Sequence, residues 1–208
     1  DKDRQMLTSI IIPTKDEPTI QELVDNINAT IKENHEILIV DKSRTAPKVK
    51  GAEVMIQRSD GLGNAFVEGL SRSKGNIIAL MDGDGSHRPE DLQKMLKGGE
   101  CSDTLGRKLV TLAFAQLTRL ILGVDLRDPM TGFMVAKKNV FDNLELKPKG
   151  FKIVIEIVYK SKAKVLEAPI SFYKRKTGSS KVGFNTNGLR EMARIFELLL
   201  ELKLGRIR

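Results

Sequence analysis

Two aspartates separated by one glycine, Asp82-Gly83-Asp84, follow the apolar run Asn76-Ile-Ile-Ala-Leu-Met81. Carboxylates at the end of a buried strand are delivered to its rim, and a pair of them offers hard oxygen ligands. Magnesium or manganese takes one or two such carboxylates together with phosphate oxygens and water. The triplet therefore suits a metal–diphosphate complex, in which the cation would neutralise charge on a departing nucleoside diphosphate. Three residues taken alone are equally met as a solvated polar turn; it is the place at a strand end that favours chemistry. His87 is a candidate for the metal or a phosphate, and also for an ordinary hydrogen-bonded side chain.

Other residues have comparable double readings. Asp41 ends the run Glu36-Ile-Leu-Ile-Val-Asp41, where it could accept a hydrogen bond from a nucleobase or cap a turn. Gly61-Leu-Gly-Asn-Ala65 lacks the third glycine of a dinucleotide fingerprint and precedes the wrong helix for one. Close helix packing beneath a nucleotide is the better reading. Arg175-Lys-Thr-Gly-Ser-Ser-Lys181 joins cations, hydroxyls and a flexible backbone, as in a loop that closes over phosphates, although a solvated basic loop has the same composition.

These groups need a scaffold that brings strand ends together. Thr8 to Pro13 is a short β-branched run, and Ile20, Leu23, Val24, Ile27 and Ile31 then recur at helical spacing. Strands over 36–41, 53–57 and 76–82 and a helix over 61–73 continue the alternation. Continuous apolar strands separated by helices imply an α/β fold: a Rossmann-like, mostly parallel sheet with helices on both faces and a ligand crevice outside the carboxyl strand ends. Thr14, Asp16 and Glu17, then Asp41, then Asp82 and Asp84, would share that rim. Farther on, the pattern predicts a helix over about 106–122, a strand near Phe133, a helix over 153–160, short strands near Val165 and Phe172, and a last helix from about Leu189. Loops 42–51 and 178–187 are polar and suited to movement near a ligand.

The 208 residues suit one principal domain, and the net charge of +8 suits anionic partners. No nucleic acid is expected, since two Tyr and no Trp leave few stacking platforms. Cys101 is the single cysteine, which excludes an internal disulfide and a thiolate zinc cluster. No apolar stretch approaches the roughly 20 residues needed to span a bilayer, and the charged start does not read as a signal peptide; a cytoplasmic setting is expected. The helix begun by Arg107 and Lys108 and the last helix, with Ile195, Phe196, Leu199, Leu200 and Leu202 beside several arginines, are amphipathic. Core packing explains such faces, and so does a position in a membrane interface.

Taken in order, Ile10-Ile-Ile-Pro-Thr-Lys-Asp-Glu17, Ile39-Val-Asp41, Gly61-Leu-Gly63, Met81-Asp-Gly-Asp84, Asp128-Pro-Met-Thr-Gly-Phe133, Gly150-Phe-Lys152 and the 175–181 loop resemble the family 2 glycosyltransferases, nearest the polyprenol-phosphate (dolichol-phosphate) mannose synthases. The resemblance implies a glycosyltransferase A fold over residues 1–185, with 186–208 as an amphipathic, membrane-interfacial helix. It implies a nucleotide-sugar donor, Mg2+ or Mn2+, and a polyprenyl (dolichyl) phosphate acceptor met peripherally at the cytoplasmic membrane face. Pro13, Thr14, Glu17, Asp41 and Gly61 would surround the nucleoside, Asp82 and Asp84 would hold metal and diphosphate, and Asp128 would lie by the reacting sugar. Arg107, Arg175, Ser180 and Lys181 match phosphate-contacting positions of donor or acceptor.

The chain departs from the family pattern in three places. Lys42 follows Asp41 where a second aspartate is common, and Ser86 stands where a glutamine often assists the metal. A further strand, ending in a Gly-Ser-Arg type motif after the helix matched by Pro89 to Leu96, has no counterpart here. Because losing a core strand would expose a sheet edge, a break with omitted residues is expected between Lys97 and Gly98. Other donors and acceptors, and a non-catalytic nucleotide-binding module, are the rival readings.

Overall fold

The computed structural model describes residues 6–98, 109–129, 131–148, 152–168, 170 and 186–205. Five strands, β1 (Thr8–Thr14), β2 (His35–Asp41), β3 (Glu53–Ile56), β4 (Ile77–Leu80) and β5 (Met134–Lys137), form one sheet in the order β3-β2-β1-β4-β5. The first four pair in parallel and β5 runs antiparallel to β4. Chain order reverses beside β1, whose neighbours are β2 on one side and β4 on the other. Such a reversal opens a crevice at the carboxyl ends of the two diverging strands.

The sheet is apolar on both faces, and this is why its strands read as unbroken hydrophobic runs. Ile10, Ile12, Ile37, Ile39, Ala79 and Met81 face α1 (Ile20–Thr30) and α3 (Pro89–Leu96). Ile11, Leu38, Val40, Ile78 and Leu80 point the other way, with Ala65 and Phe66 of α2 (Leu62–Arg72) and Ile153, Val154 and Ile157 of α5 (Ile153–Ser161). The period-two alternation of β1 thus divides three consecutive isoleucines between two cores. A third cluster joins α4 (Leu109–Leu122) to α6 (Thr186–Lys203) through Leu122, Leu198, Leu199 and Leu202, together with Ile155 of α5.

Several expected elements take a different form. Residues 162–168 have no regular structure, and Val165 and Leu166 are exposed, so no strand forms near Val165; a run that buries neither side chain gains too little to hold a ladder. The strand expected near Phe172 lies outside the described residues. β5 begins just after Phe133 and is followed by a 3-10 turn over Lys138–Phe141. Gly98 donates its N–H to the Met95 carbonyl at 3.1 Å with φ of +66°, an ordinary glycine stop for α3. Among the described residues β5 is the sheet edge on that side.

Gly69 lets α2 lie on the sheet. A Cβ there would sit 2.6 Å from Cγ2 of Ile11 and 3.2 Å from Cγ2 of Val40. Gly69→Val should therefore destabilise the fold by about 1–3 kcal/mol through overpacking, read as a lower urea midpoint at unchanged slope.

Candidate functional site

The rim is built from the ends of β1, β2 and β4. At the end of β1, Thr14 donates its hydroxyl to Oδ2 of Asp41 at 2.7 Å. Asp41 also accepts the Ser43 N–H at 3.0 Å on Oδ1 and the Ser43 hydroxyl at 3.0 Å on Oδ2. Asp41 is only 1% exposed, so its carboxylate holds the β1 and β2 ends together and caps the turn after β2. The Ser43 hydroxyl in turn accepts the N–H of Asp16 at 2.7 Å, and Asp16 has a φ of +50°. Glu17 takes the N–H and hydroxyl of Thr19, which fixes the entry to α1.

The loop before α2 is fastened from three sides. Gln57 donates to the Gly61 carbonyl at 2.8 Å, and Gly61 itself turns with a φ of +91°. Lys42 reaches the carbonyls of Arg58 and Ser59 and pairs with Asp60 at 3.0 Å. The lysine that replaces a common aspartate thus spends its donors on tying β2 to this loop. Glu68 receives the N–H groups of Arg58 and Ser59, each at 2.9 Å, and the Ser59 hydroxyl. Burial pushes the Glu68 carboxyl up, but these donors outweigh it and hold the group below its ordinary value.

Gly83 sits at the crevice between β1 and β4. A Cβ on it would lie 2.7 Å from Cγ2 of Thr14 and 3.3 Å from Cγ2 of Ile12. The glycine between the aspartates is therefore required by contact with β1, and the carboxylates flank that contact. Asp84 accepts the Ser86 N–H at 3.0 Å, closing a turn in which Gly85 has a φ of +73°. Oδ1 of Asp82 and the hydroxyl of Ser86 are buried and take no hydrogen bond among the described residues.

The 128–133 segment forms the facing wall. Glu167 accepts the N–H groups of Arg127 and Asp128 at 2.9–3.1 Å, and the Thr131 hydroxyl lies 3.1 Å from the Phe133 N–H. A Cβ on Gly132 would come 3.1 Å from Oδ1 of Asp82. The segment carrying Asp128 and the turn carrying Asp82 are thus in direct apposition.

Of the residues singled out in the sequence, Thr14, Asp41, Asp82 and Asp84 are drawn together through these contacts. Pro13 and Gly61 border them. Arg107, Arg175, Ser180 and Lys181 lie outside the described residues. Ser43, Gln57, Glu68 and Glu167 were not singled out, and Gly132 only as part of the 128–133 motif; their roles show in bonds and contacts that range from two residues away, as for Ser43 with Asp41, to about forty, as for Glu167 with Arg127 and Asp128. No group of three or more His, Cys, Asp or Glu side chains suited to a metal occurs among the described residues. Magnesium or manganese in a diphosphate complex needs fewer protein ligands, and the uncommitted buried oxygen of Asp82 fits that donor set.

The architecture is that of the glycosyltransferase A fold. A structure of glucosyl-3-phosphoglycerate synthase from Mycobacterium tuberculosis with Mn2+, UDP and glucosyl-3-phosphoglycerate superposes with a TM-score of 0.68 at 17% identity, covering 97% of this chain and 80% of that one. Residues 9–98 match the model of glycosyl transferase family 2, so the chain carries a domain of that family. It is 34% identical to the dolichol-phosphate mannosyltransferase of Pyrococcus furiosus over 209 aligned positions, which take in 85% of this chain and 59% of the relative. It is 25% identical to the polyprenol monophosphomannose synthase of Mycolicibacterium smegmatis, covering 97% of this chain and 90% of that protein. The chain thus spans about three fifths of the Pyrococcus relative's length. An alignment of 209 positions that uses 85% of 208 residues also means that the relative has residues with no counterpart here.

The lowered Glu68 carboxyl sets a pH dependence. Its contribution is present above the ordinary value of 4.5 and is lost as pH falls through the depressed folded value. In urea titrations, wild type should exceed Glu68→Gln in stability at pH 7, and the difference should shrink once pH passes below about 4.5.

Proposed function

We propose that the chain is the catalytic part of an inverting, metal-dependent glycosyltransferase. It moves a hexose from a nucleotide-sugar to dolichyl or polyprenyl phosphate at the cytoplasmic face of a membrane. Mannose is the preferred sugar, in line with the names of the aligned relatives, and GDP-mannose is the donor we propose for it. The observation that carries the reading is the acidic turn at the β1/β4 crevice, where Asp82 keeps a buried oxygen uncommitted.

Asp82 and Asp84 would hold Mg2+ or Mn2+ with the donor diphosphate. A bound cation would supply the charge neutralisation that lets the nucleoside diphosphate depart. Pro13, Thr14, Glu17, Asp41 and Gly61 would form the nucleoside end. Because Asp41 is engaged by Thr14 and Ser43, it would act there by holding the strand ends. Asp128, backed by Glu167, would border the sugar, and Arg107, Arg175, Ser180 and Lys181 would contact phosphates. An oxygen of the lipid phosphate attacks the anomeric carbon as the bond to the diphosphate breaks on the opposite face. A phosphate monoester has a second pKa of about 6, so the acceptor is already largely dianionic at pH 7 and no strong base is needed.

Membrane contact is supported by the second face of α6. Leu198, Leu199 and Leu202 are buried against α4, whereas Phe196, Leu200 and Leu204, spaced by four, are exposed, as is Leu120 of α4. Arg119 and Lys203 are exposed on the same two helices, which suits an interface rich in acidic head groups. No helix among the described residues is long and apolar enough to cross a membrane. Residues 186–208 would then serve as the interfacial helix beside a catalytic unit of 1–185.

With Mn2+, labelled GDP-mannose and polyprenyl phosphate, label should enter the organic phase, with UDP-glucose as the comparison donor. Asp84→Ala should lower transfer by about 10²–10³-fold, as when one electrostatic stabiliser of a transition state is lost. Metal-dependent nucleotide binding without transfer would instead support a binding module. Separately, replacing Phe196, Leu200 and Leu204 by Ser should weaken sedimentation with anionic vesicles at least about ten-fold, given about 1.5–3 kcal/mol for each buried apolar side chain. Undiminished sedimentation would remove the helix from the interface.

A further inference from the structure

His87 is 2% exposed and lies beneath the acidic turn. Its ring is stacked on Phe133 with centroids 4.7 Å apart and planes 19° from parallel. Nδ1 is 3.4 Å from the Asp82 N–H and 3.8 Å from Oδ2 of the same residue. The first contact is a long hydrogen bond in which the ring nitrogen accepts. The second exceeds hydrogen-bond reach and leaves the ring packed beside the carboxylate. Gly132 also stands against the carboxylate, so close that a Cβ would be 3.1 Å from Oδ1 and 3.4 Å from Oδ2. Gly132 and Phe133 are adjacent, so one dipeptide walls the carboxylate directly and supports the ring that packs beside it.

Building on the function proposed above, we propose that His87 is a positioning residue for Asp82. Held flat by Phe133, it fixes the backbone and carboxylate of Asp82 in the orientation that receives a divalent cation with a nucleoside diphosphate. It is not a ligand itself. A carboxylate on a turn has free χ1 and χ2 rotation, and a site that restrains both binds a cation without first ordering the side chain. The Asp82 orientation is thereby tied to the segment that carries Asp128, so the metal end and the sugar end of the crevice are set by one contact. Partners of this kind typically change metal affinity by about 10–100-fold when removed.

The test compares Mn2+ affinity in the presence of GDP with GDP affinity in EDTA, each by calorimetry, alongside thermal unfolding. His87→Phe keeps a ring on Phe133 and removes the acceptor. It should weaken Mn2+ binding about 10–100-fold while GDP binding in EDTA is unchanged. Should that variant fail to fold, His87→Met and His87→Gln form a matched pair, flexible and similar in size. The glutamine, whose carbonyl can accept the Asp82 N–H, should recover most of the affinity lost in the methionine. Phe133→Leu should weaken Mn2+ binding with the same split. The positioning role is overturned if His87→Phe or His87→Met binds Mn2+ like wild type, if GDP binding in EDTA falls equally, or if glutamine does no better than methionine. If wild-type affinity for GDP is indifferent to Mn2+, the metal function itself fails, which is a distinct result from a variant that matches a metal-responsive wild type.

Discussion

The approach of β1 to the end of β4 governs this structure. At Gly83 the turn after β4 comes so near Thr14 and Ile12 that a single added carbon would lie 2.7 Å from a methyl group. That contact sets the height at which Asp82 and Asp84 leave the sheet. It also sets where Thr14 stands, and Thr14 carries the hydrogen bond to Asp41. One steric limit thereby relates three strand ends. The two faces of the sheet, each closed by buried isoleucine, leucine and valine, supply the stiffness that makes such a limit effective.

Around this contact the site is assembled largely by side chains bonding to backbone. Asp41, Gln57, Glu68, Lys42 and Glu167 all act on main-chain groups of loops that the sheet does not reach. Loops with few apolar contacts would otherwise open readily. Four of these fasteners are charged and bond to several groups at once, a stronger arrangement than single neutral bonds. The chemistry proposed for the crevice depends on that rigidity, since a cation site on a loose turn would first have to be ordered.

Much of this was legible in the residues. β1, β2 and β4 announce themselves because a sheet covered on both faces demands unbroken apolar runs, and Ile10, Ile11 and Ile12 satisfy both cores at once. Asp82 and Asp84 were legible because they stand where such a run ends. What escaped depends on contacts distant in sequence. Nothing beside Asp41 declares that Thr14 will engage it, and nothing near His87 points to Phe133. The apolar pair Val165 and Leu166 has the composition of a strand but remains exposed, which only the packing around it decides. The double character of α6 was visible as amphipathicity, whereas its division into a buried and an exposed apolar row required knowing where α4 lies.

Glu167 holds the backbone of Arg127 and Asp128, and Gly132 lies against Asp82. Synthesis proceeds from the amino end, so β1 to β4 leave the ribosome well before this glutamate is made. A nascent chain can therefore pair its parallel strands and begin both cores while the crevice still lacks its facing wall, and Phe133 and the α5 residues Ile153, Val154 and Ile157 complete those cores later. Assembly of the sheet and completion of the site are separate events in time, and the second waits on a single carboxylate some forty residues downstream of the segment that it holds.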